Sequence, residues 1–384
     1  MDFELTPEQE LLKKSVRQFA EAEILPVVGE LDRTEQFSYD LTRKMGDLGL
    51  FGITIDPEFG GQGMDYLSYI LAVEELSRID ASQAATVAAV NSLGIGPIYE
   101  FGNQRQKEKY LPALCSGEKL WGFGLTEPNA GSDAGGTQTK ALLENDTWII
   151  SGSKIFITNA SADITWGSTI QAITGTDKRG RKEYSCIIVE NGTPGYEVRP
   201  MHDKMVWRAS NTSEIFLDNV RVPADNLLGK RGEGFHQMLT ALDSGRLAIA
   251  GMAVGGAQGA FEMAMKYAKE RIQFGKTIVK FQVNAFKLAD MATEIEAARS
   301  LLYRACWLKD TKKPFTKEAA MAKLFCSEMM GRVVNHAIQL FGGYGLMEEY
   351  GIARFYRDHK ILEVGEGTSE VQRLVIARLI GCED

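Results

Sequence analysis

The chain of 384 residues is short of positive charge: 43 lysines and arginines against 51 aspartates and glutamates leave a net charge of −8, with no basic block. Nucleic acid demands a cationic footprint and an anionic membrane surface a polybasic segment, so neither is an expected partner. Cysteine is scarce as well. Cys115, Cys186, Cys306, Cys326 and Cys382 are odd in number, widely spaced and form no C-x-x-C pair, which points to reduced thiols in a reducing compartment. The four histidines, His202, His236, His336 and His359, have no metal-ligand spacing, and no metal site is expected.

Long apolar runs are missing too. The longest uncharged stretch, Ala81–Tyr99, is broken by Ser82, Gln83, Thr86, Asn91 and Ser92, which suits a buried helix better than a bilayer span. Met1-Asp-Phe-Glu-Leu shows no cationic start followed by an apolar stretch, so no signal peptide is expected and the chain reads as cytoplasmic. Neither G-x-S-x-G nor a G-x-G-x-x-G after a strand occurs. Gly275-Lys276-Thr277 lacks the upstream glycine of a P-loop, since Glu270 stands there.

What remains is a folded protein, with 44% hydrophobic and 24% charged residues and length for two or three domains. The pattern divides it into three. Residues 1–119 read as all-helical, opening on a capping box of Thr6 and Gln9 with Pro7 at the first helical position. Residues 120–230 carry short β-branched runs, Thr147–Ser151, Lys154–Thr158, Ser185–Val189 and Glu214–Leu217, between turn clusters. They predict an antiparallel barrel or sandwich. Residues 231–384 return to helices near 233–270, 281–310 and 316–341, joined by short loops as in an antiparallel bundle.

Several segments carry chemistry. In Val364-Gly365-Glu366-Gly367-Thr368-Ser369-Glu370, Ser369 with Gln372 reads as a helix start, and the glycines let a molecule approach the backbone beside a carboxylate. A solvated glutamate in a turn is the alternative. Gln339-Leu340-Phe341-Gly342-Gly343-Tyr344-Gly345 is a helix stop or a ligand cradle. Leu125-Thr126-Glu127-Pro128-Asn129-Ala130-Gly131-Ser132-Asp133 and Lys154-Ile155-Phe156-Ile157-Thr158-Asn159 offer hydroxyls and free amides, or are turn and strand. Arg271-Ile272-Gln273-Phe274-Gly275 reads as a helix end.

Together and in this order, LTEPNAGSD, KIFITNA, RIQFGK, QLFGGYG and GEGTSEVQR resemble the acyl-CoA dehydrogenase family along essentially the whole chain. With LDSGRLAIAGMAVGGAQGA added, the likeness is to short-chain and butyryl-CoA dehydrogenases. The resemblance implies FAD between the β domain and the C-terminal bundle. Thr126, Ser132, Phe156 and Thr158 would lie at the flavin, with phenylalanine where many relatives have tryptophan. Gln339, Gly343, Thr368 and Glu370 would hold its adenosine and pyrophosphate part, and Arg271, Gln273 and Phe274 would reach the FAD of a neighbouring subunit in a homotetramer.

Glu366 matches the family's base, which removes the α-proton of an acyl-CoA thioester while a β-hydride goes to the flavin. Ser132, Gly365 and Gly367 fall at the substrate. Asp243 and Arg246 match residues at its CoA part, or form an ordinary i, i+3 ion pair. Some relatives take their base from the position of Gly245, so Glu366 has no competitor. Gly365 replaces the tyrosine of straight-chain relatives, which implies room for a branched, cyclic or aryl acyl group. Ala84 stands where an arginine for a distal carboxylate is found in glutaryl-CoA dehydrogenases. Trp166 and Trp207 read as packing residues. Electron-transferring flavoprotein is the implied acceptor. Physiological enoyl-CoA reduction, and a non-catalytic scaffold of the same fold, are the alternatives.

Overall fold

A computed structural model describes residues 4–176 and 178–382. Helix α1 (Pro7–Phe19) begins with the expected capping box: Gln9 N donates to Thr6 Oγ1 and Thr6 N to Gln9 Oε1. A π-type turn (Ala20–Ile24) leads to α2 (Val28–Thr34) and α3 (Tyr39–Asp47). Helices α4 (Tyr66–Ser77) and α5 (Ala81–Ala89) are buried almost all round and start on Asp65 and Asp80, whose carboxylates accept the orphan amides of the first turn. The uncharged stretch continues through a second π-type turn (Val90–Ile95) into α6 (Gly96–Phe101), and α7 (Gln104–Cys115) closes the segment. No helix among the described residues is long and apolar enough to cross a membrane.

The middle segment is one sheet of β1 (Leu120–Gly124), β2 (Lys140–Glu144), β3 (Thr147–Thr158), β4 (Thr165–Thr176), β5 (Lys182–Glu190), β6 (Tyr196–Pro200), β7 (Thr212–Pro223) and β8 (Leu227–Leu228). The hydrogen-bonded order is β6-β7-β3-β2-β4-β5-β8, with β1 beside β4. Two features correct the expected all-antiparallel arrangement. β1 runs parallel to β4, Leu120 opposite Thr165, and β2 meets β4 in parallel at Lys140 and Ile173. The runs at Thr147 and Lys154 are a single strand, β3, irregular in register between Ile150 and Gly152 and again between Lys154 and Ile157.

The C-terminal segment contains α8 (Gly234–Glu270), a hairpin of β9 (Ile272–Gln273) and β10 (Lys276–Thr277), α9 (Gln282–Asp310), α10 (Thr316–Phe341), α11 (Ile352–Val364) and α12 (Ser369–Leu379). The helical ranges match the expected runs, but Arg271 to Gly275 is not simply a helix end: Arg271 caps α8 and the chain then turns through Phe274 and Gly275, both at positive φ, into the hairpin. Small residues let α8 lie close against α4. A Cβ at Gly255 would fall 2.1 Å from the Glu74 carbonyl oxygen. One hydrophobic core joins the N- and C-terminal helices, and a smaller one, including Trp148, Ile150, Ile170, Ile187 and Val220, fills the sheet domain. All five cysteines are free thiols; only Cys382 is exposed.

One buried ion pair ties the two motifs of the sheet domain together. Lys154 Nζ, fully buried, lies 2.8 Å from Glu127 Oε1 and also donates to the Leu125 carbonyl. Burial depresses the Lys154 ammonium despite Glu127; at Glu127, burial pushes the carboxyl up, but the Lys154 charge and hydrogen bonds outweigh it. Lys154→Met leaves that carboxylate without its buried counter-charge, and removing one partner of such a pair costs about 3 kcal/mol or more. Urea unfolding of the purified variant reads this directly; a loss under about 1 kcal/mol would show that the pair contributes nothing specific.

Candidate active site

The loop between α11 and α12 presents Glu366. Gly365 caps α11, Glu366 and Gly367 both take left-handed backbone (φ 54° and 92°), and Thr368 caps α12. The cap stands one residue before the expected Ser369, because Gln372 does not complete a capping box. Its Nε2 instead donates to the carbonyls of Gly367 (2.9 Å) and Glu366 (3.3 Å). Left-handed backbone is unfavourable for a residue with a Cβ, so Glu366 is held there by its surroundings.

The carboxylate lies against α8. A Cβ at Gly245 would be 2.0 Å from Glu366 Oε2, so the side chain occupies the space that any larger residue at 245 would need. Oε2 is buried with no hydrogen-bond partner. Burial pushes the Glu366 carboxyl up to about 7, while Lys323 and Arg246 pull the other way. A carboxylate with an unused oxygen and a proton affinity near neutrality is suited to exchange a proton with a ligand.

Around it, Arg246 is buried and ion-paired with Asp243 at 2.5 Å, with its Nε partnerless. Asp243 Oδ2 accepts from Thr316 Oγ1 at 2.8 Å, so the i, i+3 pair is real and extends to α10. Tyr66 Oη donates to the Ser244 carbonyl at 2.6 Å and Lys309 Nζ to Ser244 Oγ at 2.8 Å, bracing this turn of α8 from α4 and α9. Lys323, which the sequence reading passed over, is fully buried on α10 and donates from Nζ to the Gly367 carbonyl at 2.7 Å. Its signal in the sequence was a lysine on the apolar stripe of Ala319, Ala320, Ala322 and Cys326.

The other candidates fall in two places. Thr126 follows β1, and its carbonyl accepts from Ile155 N, setting it beside Phe156. Phe156 stands at φ 60° where β3 is irregular in register, its residue 62% exposed, with Thr158 half-buried two residues on. Ser132 is exposed in the loop before β2. Farther along, Arg271, Gln273 and Gly343 share a groove of about 640 Å³ with Tyr267, Phe341 and Gly342. Gln339 is exposed near its end and Phe274 is 95% exposed. Glu370 is exposed in the first turn of α12, and the hydroxyl of neighbouring Ser369 is buried without a partner. Trp166 packs edge-on to Tyr110, and Trp207, at φ 48°, also packs against the main core, with its buried Nε1 left without a partner.

An exposed aromatic face, hydroxyls beside it, and a groove with an arginine and open glycines fit the FAD expected from the motifs: ring, amide-rich edge and anionic phosphates each have a complement. Glu366 and Arg246 belong to one buried cluster, and the groove at Gly343 is a separate one.

The family models for the N-terminal, middle and C-terminal domains of acyl-CoA dehydrogenase match residues 6–118, 122–220 and 232–381. A probable acyl-CoA dehydrogenase of Bacillus subtilis is 53% identical over 98% of this chain and 99% of its own. A short-chain specific acyl-CoA dehydrogenase of Clostridium acetobutylicum is 47% identical, again over 98% and 99%. The solved butyryl-CoA dehydrogenase of Megasphaera elsdenii superposes with a TM-score of 0.95 at 44% identity, covering 99% of this chain and 100% of that one. Members of this family are FAD-dependent oxidoreductases, and the scaffold alternative falls. The chain belongs to the acyl-CoA dehydrogenase family.

Proposed function

We propose that this protein dehydrogenates a short-chain acyl-CoA to the trans-2-enoyl-CoA, with Glu366 as the base. The observation that carries the reading is the half-buried Glu366 carboxylate, whose Oε2 is buried and partnerless against Gly245 and which is flanked by two buried cations. Glu366 takes the α-proton as the β-hydride leaves. Its own backbone N–H is the proposed donor to the thioester carbonyl, whose oxygen gains charge as the proton departs. FAD, when bound, supplies the hydride acceptor. Thr126, Ser132, Phe156 and Thr158 would hold its ring end, Gln339, Gly343, Thr368 and Glu370 its phosphate and adenosine end, and Arg271, Gln273 and Phe274 would reach the FAD of a neighbouring subunit. Asp243 and Arg246 would meet the CoA part, and Gly365 and Gly367 would flank the reacting carbons.

Phe274 and Ile272, exposed at 95% and 60% on their hairpin, support a homotetramer in which this strip reaches a neighbour's cofactor. Electron-transferring flavoprotein is the proposed acceptor, and the proposed domains divide at 119 and 230. The branched, cyclic or aryl acyl group expected from Gly365 finds no support in the relatives, several of which are short-chain or butyryl-CoA enzymes. The substrate is therefore narrowed to a short chain.

Anaerobic mixing with a panel of straight, branched, cyclic and aryl acyl-CoA esters tests this. Butyryl-CoA is expected to bleach the flavin fastest. A protein that bleaches only with bulky esters would overturn the chain-length assignment, and one that bleaches with none would overturn the activity.

A further inference from the structure

We propose that Lys323 is the positioning residue of the Glu366 loop: its buried ammonium fixes the Gly367 carbonyl and sets a positive charge beside the neighbouring carboxylate. This rests on Glu366 being the base. Lys323 comes from the middle of α10 and is fully buried, yet its hydrogen bond, at 2.7 Å, is to a neutral carbonyl that already accepts from Gln372 Nε2 at 2.9 Å. A glutamine would hold that carbonyl without the desolvation penalty that an ammonium incurs in an apolar helix interface. The charge is accounted for if it answers an opposite charge nearby, and Glu366 is the adjoining carboxylate, one of whose oxygens is buried with no hydrogen bond to satisfy it.

The groups facing this point come from every helix packed around it. Arg246 on α8 adds a second cation. Tyr66 and Tyr69 on α4 are phenols that burial, first, and Glu366 keep protonated. Glu363 on α11 and Glu370 on α12 favour the charged form of Lys323, while Arg246 opposes it. Burial lowers the Lys323 ammonium to about 8, so it is still charged at neutrality. Lys323 has two effects: it holds two successive left-handed residues in place, and its field favours the carboxylate over the acid.

Lys323→Gln separates these effects, since the amide can still donate to Gly367 but carries no charge. In anaerobic flavin bleaching by butyryl-CoA, the rise of rate with pH is expected to move up by about one unit or more, with a loss of about tenfold below neutrality recovered at alkaline pH. A purely structural lysine would lower the rate evenly at all pH values. The infrared carboxyl band of Glu366, assigned through Glu366→Gln, should titrate higher by the same amount. A profile coincident with the parent's overturns the inference. Should Lys323 variants fail to fold, the coupling is read in reverse: the nitrogen resonance of Lys323 must titrate lower in Glu366→Gln than in the parent, because the interaction is reciprocal. An unmoved resonance is equally fatal. The two readings fail differently: normal bleaching by Glu366→Gln takes down both, whereas an inactive Glu366→Gln beside an unshifted Lys323→Gln removes only the lysine's role.

Discussion

Glu366→Gln is expected to retain flavin and CoA-ligand binding and to lose about 10²- to 10⁴-fold in the rate of flavin bleaching by butyryl-CoA, the range that a positioned general base contributes. The amide has the shape of the carboxylate, so the contact with Gly245 remains and the bonds from Lys323 and Gln372 to the loop carbonyls are not touched. Only the capacity to accept a proton is removed. Bleaching at the parent's rate would refute the assignment.

The same residue sets two pH dependences of opposite sense. In the parent, kcat/KM should rise with pH through about 7, because the carboxylate is the active form and burial holds its proton until then. Stability moves the other way. A carboxyl whose folded-state proton affinity exceeds its unfolded one favours folding while protonated, and that contribution is lost as pH rises through about 7. Glutamine has no such term. Glu366→Gln should therefore melt above the parent at pH 8, and the gap should close toward pH 5. Equal melting temperatures across that range would mean that the carboxyl is not held neutral by burial.

The parts of this site that could be read from sequence are those encoded by neighbours in the chain. The Thr6 capping box and the three long C-terminal helices depend on local pattern, and the structure has each of them where the pattern puts it. What could not be read depends on contacts across the chain. Lys323 meets Gly367 from 44 residues away, and its place on an apolar stripe marks it as buried without showing what it touches. The parallel pairing of β1 with β4 is likewise decided by where the chain returns after β3, not by alternation within either strand. The shift of the α12 cap from Ser369 to Thr368 turned on a single side chain, since Gln372 was drawn to loop carbonyls instead of the cap. The β9–β10 hairpin is a different case. Phe274-Gly275 between two short extended pairs is a legible two-residue turn, masked in the sequence by the helical run of α8 that leads straight into it.

Gly245→Ala is expected to be nearly silent for stability and severe for catalysis, and that contrast distinguishes a carboxylate aimed by α8 from one that merely rests on it. The new methyl would lie 2.0 Å from Oε2, 2.8 Å from Cδ and 3.2 Å from Oε1 of Glu366. Backbone on both sides stays, because the obstructed atoms are the far end of a flexible side chain, and alanine in a helix interior gains up to about 1 kcal/mol over glycine. The melting temperature should thus hold or rise. The carboxylate, however, must swing by roughly 1 Å or more to restore ordinary contact, and misplacement on that scale costs on the order of 10²-fold in rate. Loss of bleaching rate without loss of flavin content or stability is the expected outcome. A rate within about twofold of the parent would show that the base works from some other position, and would remove the physical reason for a glycine at 245.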